Sequence, residues 1–244
     1  GMFGAIIMLP LFLQVVQGDT ATAAGLKLIP FMLGIVSMSI LSGKLISKHG
    51  HYKRYPVTGL AIMTVGILLL STLNQTTSFW KLAIYALLIG AGLGLSMQTI
   101  VIALQNSVEM KDLGIATSAN TFFRSVGGTV GVALFGSLYA SQLAINIPEG
   151  VRKLATTNPL ALIGASPEKF EQLKNSTSVI SEFSPPLQAV IYQGFVDSFQ
   201  VVFLSAAPLT AIGFVLALFL REVPLRTSAQ HHAATQEAAG EAIG

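Results

Sequence analysis

The stretch NTFFRSVGGTVGVALFGSLYA, residues 120–140, is almost wholly apolar or small, yet an arginine, Arg124, sits near its start. On a helix of 3.6 residues per turn, Thr117, Asn120, Arg124, Gly128 and Gly131 fall on one face, with Gly127 beside them. A guanidinium within a membrane is costly unless it faces a bundle interior or a water-filled cavity. Arg124 is therefore expected to point into protein or water and not into lipid. Two roles fit that position. Arg124 can attract an anion or couple charges along a translocation path, or it can clamp the carbonyls or helix ends of a neighbour.

Bond-making chemistry has little else to work with. All 11 acidic residues lie in loops, tails or at the edges of apolar runs, and Asp197, in FVDSFQ, comes nearest to a membrane position, at the outer rim of the last run. The four histidines, His49, His51, His231 and His232, fall outside the apolar runs. Cysteine is absent, which excludes disulfides and thiolate metal sites. No Ser-His-Asp set and no metal-ligand spacing is visible. The chain reads as no enzyme, with no catalytic residue, no metal and no organic cofactor. Proton-coupled carriers usually titrate a buried carboxylate or histidine, and no such group stands at mid-depth here.

Weaker signals accompany the arginine. Gly127 and Gly131 make a GxxxG step flanked by Gly128, a spacing that lets helix backbones approach closely, and it reads as a packing seam. GAGLG, Gly90 to Gly94, superficially matches a nucleotide-binding fingerprint, which must follow a strand and open a helix. Here it lies inside an apolar run and reads as a flexible or closely packed glycine seam. Gln98 and Gln105 are seven residues apart and share a face that borders either a cavity or a neighbouring helix. Gln14 and Gln17 end the first apolar run, where amides suit a varied, partly apolar ligand or cap the interface.

These residues need a membrane to position them. Only 10% of the 244 residues are charged, 52% are hydrophobic and the mean hydropathy is +0.68. A soluble domain carries about 25% charge, so a membrane class comes first, and the net charge of +3 is too small and scattered to suggest nucleic acid. A spanning helix needs about 20 mainly apolar residues. Six runs qualify as candidates: 2–17, 24–46, 56–73, 81–104, 114–143 and 196–220. From an entry near Gly114, Arg124 lies about 15 Å deep at 1.5 Å per residue. Pro10, Pro30 and Pro208 are expected to bend their helices. The opening GMFGAIIMLPLFLQVV has no basic start and no cleavage site, and reads as the interior of a longer protein's span.

Short-loop lysines and arginines set the orientation. Lys44, Lys48, Lys53, Arg54, Lys111, Arg221 and Arg226 collect on one side. Lys27 and Lys81, on the other, lie just inside the adjoining spans and can snorkel outward. The first side is therefore expected to be cytoplasmic, with both chain ends there. Residues 1–222 form the bundle, 145–194 an external loop holding one short helix that begins at Ser166-Pro167-Glu168, and 223–244 a disordered cytoplasmic tail.

The blocks LPLFLQVVQGDTATAAGLKLIPFMLG, GLGLSMQTIVIALQNSV and GIATSANTFFRSVGGTVGVALFG, with FVDSFQVVFL before the last span, together resemble the C-terminal half of fourteen-spanner drug:proton antiporters of the major facilitator superfamily. GKLISKHGHYKR is similar to that superfamily's cytoplasmic loop motif at Gly43, Leu45, Lys48, Gly50 and Lys53, with Arg54 following. Ser47 replaces the acidic residue, so only a topological role is expected of it. The stripe at Arg124 matches the family's R-x-x-G-G pattern. The resemblance implies an all-α membrane fold: six transmembrane helices as two inverted three-helix repeats, forming the C-terminal bundle. It implies an inner-membrane carrier driven by protons that exports drug-like small molecules, amphipathic and cationic or lipophilic, by alternating access. A missing N-terminal half would be the partner, supplying the titrating carboxylates and the other cavity wall. Spans one, two, four and five would face that half, and three and six the lipid bilayer. Gln14, Gln98, Asn120 and Arg124 are the cavity candidates. The rival reading is a non-transporting six-helix binding or assembly module that dimerises or pairs with a separate half.

Overall fold

The computed structural model describes residues 2–162, 170, 177–220 and 222. Among these there is no strand. The helices are α1 Met2–Val16, α2 Ala21–Lys27, α3 Ile29–His49, α4 Arg54–Leu70, α5 Phe79–Ser107, α6 Leu113–Thr157 and α7 Pro185–Leu218. Short 3-10 turns cover Met110–Asp112, Pro159–Leu162 and Thr177–Glu182. By length and composition four helical segments can cross a membrane: Ala21–His49, which joins α2 to α3, and Phe79–Ser107, Met110–Thr157 and Pro185–Leu218. Ile6–Val16 and Arg54–Leu70 are apolar but shorter.

Each apolar run read from the sequence lies largely within one helix, except the second, which breaks at Leu28. Pro30 has no N–H to give to the turn before it, so the chain restarts there, with proline in the first turn of α3. Thr20 caps α2 through a 3.2 Å bond from Ala23 N–H to its Oγ1.

α5 is the central helix of the first five, and its glycines explain how. Gly90 and Gly94 are one turn apart and face α3, so close that an added Cβ would run into the carbonyl oxygens of Phe31 and Ile35. Gly92, half a turn between them, faces α4, where it meets the carbonyl oxygen of Gly59. Ser39 Oγ donates to the Gly94 carbonyl at 3.2 Å, tying α3 to the same spot. With no side chains between the axes, dispersion contacts and hydrogen bonds hold the three helices together, as membrane helices require.

The second packing centre is aromatic. Phe12 of α1 meets Phe199 of α7 edge-on, with ring centroids 5.4 Å apart, and Tyr139 of α6 lies 4.5 Å from the same ring. Phe12 and Phe199 are fully buried. α7 thus gathers α1, α4 and α6 on one side, and Gln200 Nε2 donates to Leu73 O at 2.8 Å in the α4–α5 turn.

The segment 145–194 differs from the expected loop. α6 continues through Pro148 to Thr157, and α7 begins at Pro185, leaving 158–184 as the connector. Partner burial outweighs the proline: Ile147 packs on Gly194, the space above Gly150 is closed by Val190, and Val151 and Leu154 join the core. Asn146 Nδ2 donates to Ser198 Oγ at 3.0 Å. Pro185 and Pro186 occupy the first turn of α7, where their missing N–H groups have no helical partner to lose. The helix start expected at Ser166-Pro167-Glu168 and the tail 223–244 lie outside the described residues.

Candidate functional site

α6 has no proline from Leu113 to Ile147, so no backbone donor is lost over that run, and the helix continues through its several glycines. Its bundle-facing side is read from burial: Gly128, Gly131 and Phe135 are covered, at three- and four-residue steps. Arg124 is one turn before Gly128 on that same side, yet it is exposed, as are all residues 121–127. The N-terminal half of α6 therefore runs along the bundle without being covered by the described residues. Among the described residues no hydrogen bond or ion pair reaches Arg124, so it clamps none of their carbonyls. Phe122 is 63% and Phe123 71% exposed beside it, and Asn120 is half-buried one turn away.

Of the other cavity candidates, Gln14 is exposed on α1 and donates to Pro10 O of its own helix at 3.4 Å, and Gln98 is exposed on α5. Among the described residues no hydrogen bond or ion pair joins Gln14, Gln98, Asn120 or Arg124 to one another. What they share is a position on helix faces that this chain leaves uncovered.

Among the described residues, Gly127 and Gly131 make no close helix approach. A Cβ at Gly127 or Gly131 would meet nothing within 4 Å, and Gly127 is exposed. The close seam is the α5 glycine run instead. The difference is physical: a small residue permits close approach and does not supply the neighbour.

In the loop motif GKLISKHGHYKR, Gly50 ends α3 in the left-handed region, φ 73°, and its N–H reaches Ile46 O at 2.8 Å. Gly43 meets no neighbour, Ser47 Oγ bonds back to Gly43 O at 3.0 Å, and Lys48 and Arg54 are exposed while Lys53 is half-buried. Tyr52, buried, donates its N–H to Glu222 Oε1 at 3.0 Å and so ties the loop to the chain beyond α7.

One polar cluster escaped the sequence reading. Lys27 does not snorkel alone; its Nζ lies 2.5 Å from Asp19 Oδ2 and 3.1 Å from Gln17 Oε1. Gln17 Nε2 in turn donates to Thr77 O at 3.2 Å. The signal was present in QGDTATAAGLK, where Asp19 stands just before the Thr20 cap of α2 and Lys27 is the last residue of that helix. Recognising it required knowing that Gly18, at φ 71°, folds α1 back against α2.

The sequence profile of the Major Facilitator Superfamily matches residues 1–132, more than half of the chain. The chain belongs to the major facilitator superfamily. An uncharacterised MFS-type transporter of Mycobacterium tuberculosis is 38% identical over 224 residues, covering 92% of this chain and 31% of that protein. A tetracycline resistance determinant of Streptomyces rimosus is 33% identical over 256 residues, 98% of this chain and 73% of the relative. The multidrug transporter protein MdtP of Bacillus subtilis is 31% identical over 263 residues, all of this chain and 47% of MdtP. This superfamily member thus spans from about a third to about three-quarters of the length of these relatives. The family and the long apolar helices make this a multi-pass membrane chain, and the relatives named above carry transporter or resistance names.

Proposed function

We propose that residues 1–222 are the C-terminal six-helix half of a proton-driven drug exporter of the fourteen-spanner branch, working by alternating access at the inner membrane. α1, α2–α3 and α4 form one three-helix repeat and α5, α6 and α7 its inverted counterpart, with both ends of the segment cytoplasmic. An N-terminal half outside this chain supplies the titrating carboxylates and the second cavity wall. The substrates are drug-like amphipathic or lipophilic compounds, a class suggested by the names of the Streptomyces and Bacillus relatives.

The observation that carries this reading is the uncovered first half of α6. A helix with a cation and small polar residues on its bundle side, standing free of its own bundle, needs a second wall. Asn120, Arg124, Gln98 and Gln14 line that wall's near side, and Gly127 offers a close seam to the facing half. α4 and α7 instead leave Val65, Leu68, Leu204, Ile212, Val215 and Leu216 exposed, all apolar and suited to lipid. The cytoplasmic loop motif at Gly43, Lys48, Gly50, Lys53 and Arg54 keeps the loop's path and carries no proton.

Dye efflux from proteoliposomes under an imposed pH gradient tests the proposal. The 244-residue chain is compared with the longest form extended at its N-terminus. Gradient-driven efflux by the extended form alone is the expected result. Efflux by the short chain alone would sink the half-carrier account.

A further inference from the structure

We propose that the exported compound carries an oxyanion, a carboxylate or ionised phenol on an aromatic or otherwise apolar frame, and that Arg124 with Asn120 forms its anchoring subsite. This rests on the cavity reading given above and narrows it, because a cationic substrate is the one class the site disfavours.

The charge inventory carries the argument. Between Leu82 and Val108, and again between Leu113 and Pro148, Arg124 is the only Asp, Glu, Lys, Arg or His. α1, residues 28–43 of the α2–α3 segment and residues 55–70 of α4 hold none. α7, Pro185–Leu218, holds a single charge, the half-buried Asp197, to whose Oδ1 Gln193 Nε2 donates at 2.8 Å. Asp197 cannot neutralise the arginine. Asn146 bonds to Ser198 and Ile147 packs on Gly194, so Asp197 is level with residue 147 of α6. Arg124 is 23 residues back along that helix, about 35 Å at 1.5 Å per residue.

Geometry then decides what Arg124 can do. It shares the bundle side of α6 with Gly128 and Gly131, so it points toward the proposed cavity, not away from it. It is exposed and unpartnered among the described residues. Phe123, about a quarter-turn from Arg124, stands exposed and supplies apolar surface at the edge of that face, while Phe122 lies nearly opposite the arginine. Asn120 and Thr117 follow at one-turn steps and add neutral hydrogen-bonding groups. A planar guanidinium with five donors matches a carboxylate or phenolate oxygen in a way a neutral ligand cannot, and a cation beside it is repelled. An unpaired charge in a cavity selects by penalising the wrong partner as much as by holding the right one.

The test uses the full-length protein in proteoliposomes and two dyes on one ring system, fluorescein as the anion and rhodamine 6G as the cation. Wild type is expected to favour fluorescein. Arg124→Gln should lower the fluorescein-to-rhodamine rate ratio about tenfold or more, since hydrogen bonds to a charged group are worth at least that factor. Asn120→Asp places a carboxylate one turn before the arginine, in the favourable order for an i, i+4 pair. It should cancel the charge and move the ratio the same way even if Arg124→Gln fails to fold. A ratio unchanged in both variants would overturn the inference. Wild type that moves rhodamine and not fluorescein overturns it too, and leaves the export reading standing. Wild type that moves neither dye under a gradient overturns both.

Discussion

Alanine at Gly34 should loosen the bundle, whereas alanine at Gly43 of the same helix should not. A Cβ at Gly34 would stand 2.6 Å from the carbonyl oxygen of Leu87 and 2.8 Å from the backbone nitrogen of Ala91. Ordinary contact begins at 3.4 Å, so α3 and α5 must part by about 0.8 Å. Both obstructing atoms are backbone, and no rotamer change relieves them. The neighbouring contacts of Gly90 and Gly94 with the backbone of α3 mean that the shift cannot stay local. Overpacking of this kind costs about 1–3 kcal/mol. Alanine also gains about 1 kcal/mol over glycine in helix propensity. That gain is common to both substitutions, and at Gly43 it stands alone, because nothing lies within 4 Å there. The difference between the two variants therefore isolates the overpacking term. At about 2–4 °C per kcal/mol for a domain of 150–250 residues, it corresponds to roughly 2–12 °C in apparent melting temperature. The assay is the fraction of protein remaining monodisperse by size-exclusion chromatography after heating in detergent, at one heating time throughout. Equal melting of the two variants would show that the α3–α5 approach is not tight and would remove the glycine-seam account of the fold.

Lys27→Met should lower the same melting temperature by the equivalent of about 1–2 kcal/mol, because it strands Asp19 at 15% side-chain exposure and releases Gln17. Exchanging the pair as Asp19→Lys with Lys27→Asp should recover at least part of that loss, and a double variant worse than the single one would count against an ion-pair role. Gly50→Ala forces a left-handed φ of 73° on a residue with a Cβ and should cost about 1–2 kcal/mol, with Gly50→Asn milder, both read from the same melts.

Much of the fold was legible because lipid-facing helices need long apolar runs and little else; all six runs fall on helices, and the loop glycine at position 50 marks a helix end as its type suggests. The α2–α3 break was only half legible. Pro30 announces a disturbance, but whether a proline bends a helix or restarts it depends on whether the carbonyl it abandons, Leu26 O, finds another donor; here Leu28 N–H takes it up. The stretch 145–194 misled for the opposite reason. Pro148, the charges Glu149, Arg152 and Lys153, and the proline pair at 185 are loop-forming by type, and they were outweighed by contacts 40 to 50 residues away in sequence, Ile147 with Gly194 and Gly150 with Val190. No local pattern encodes which distant side chain will be there.

The two glycine motifs make the same point about the site. GAGLG and GxxxG both place small residues at helical spacing, and sequence alone ranks neither as the tighter seam. Gly90, Gly92 and Gly94 are pressed against backbone on two sides, while Gly127 looks out at open space. Periodicity fixed the face on which Arg124 stands, and burial of Gly128 and Gly131 agrees with it. It could not say what covers that face, because none of the described residues covers it. On the half-carrier reading proposed above, an arginine that the described helices leave bare finds its counter-charge either across the cavity, in protein, or within the cavity, in cargo. Protein supplied from the facing half would hold Arg124 in every substrate's transport cycle, so its removal would affect all dyes alike. Cargo would engage it only when the cargo is anionic. That asymmetry separates the two by substrate charge alone, without a structure of the other half.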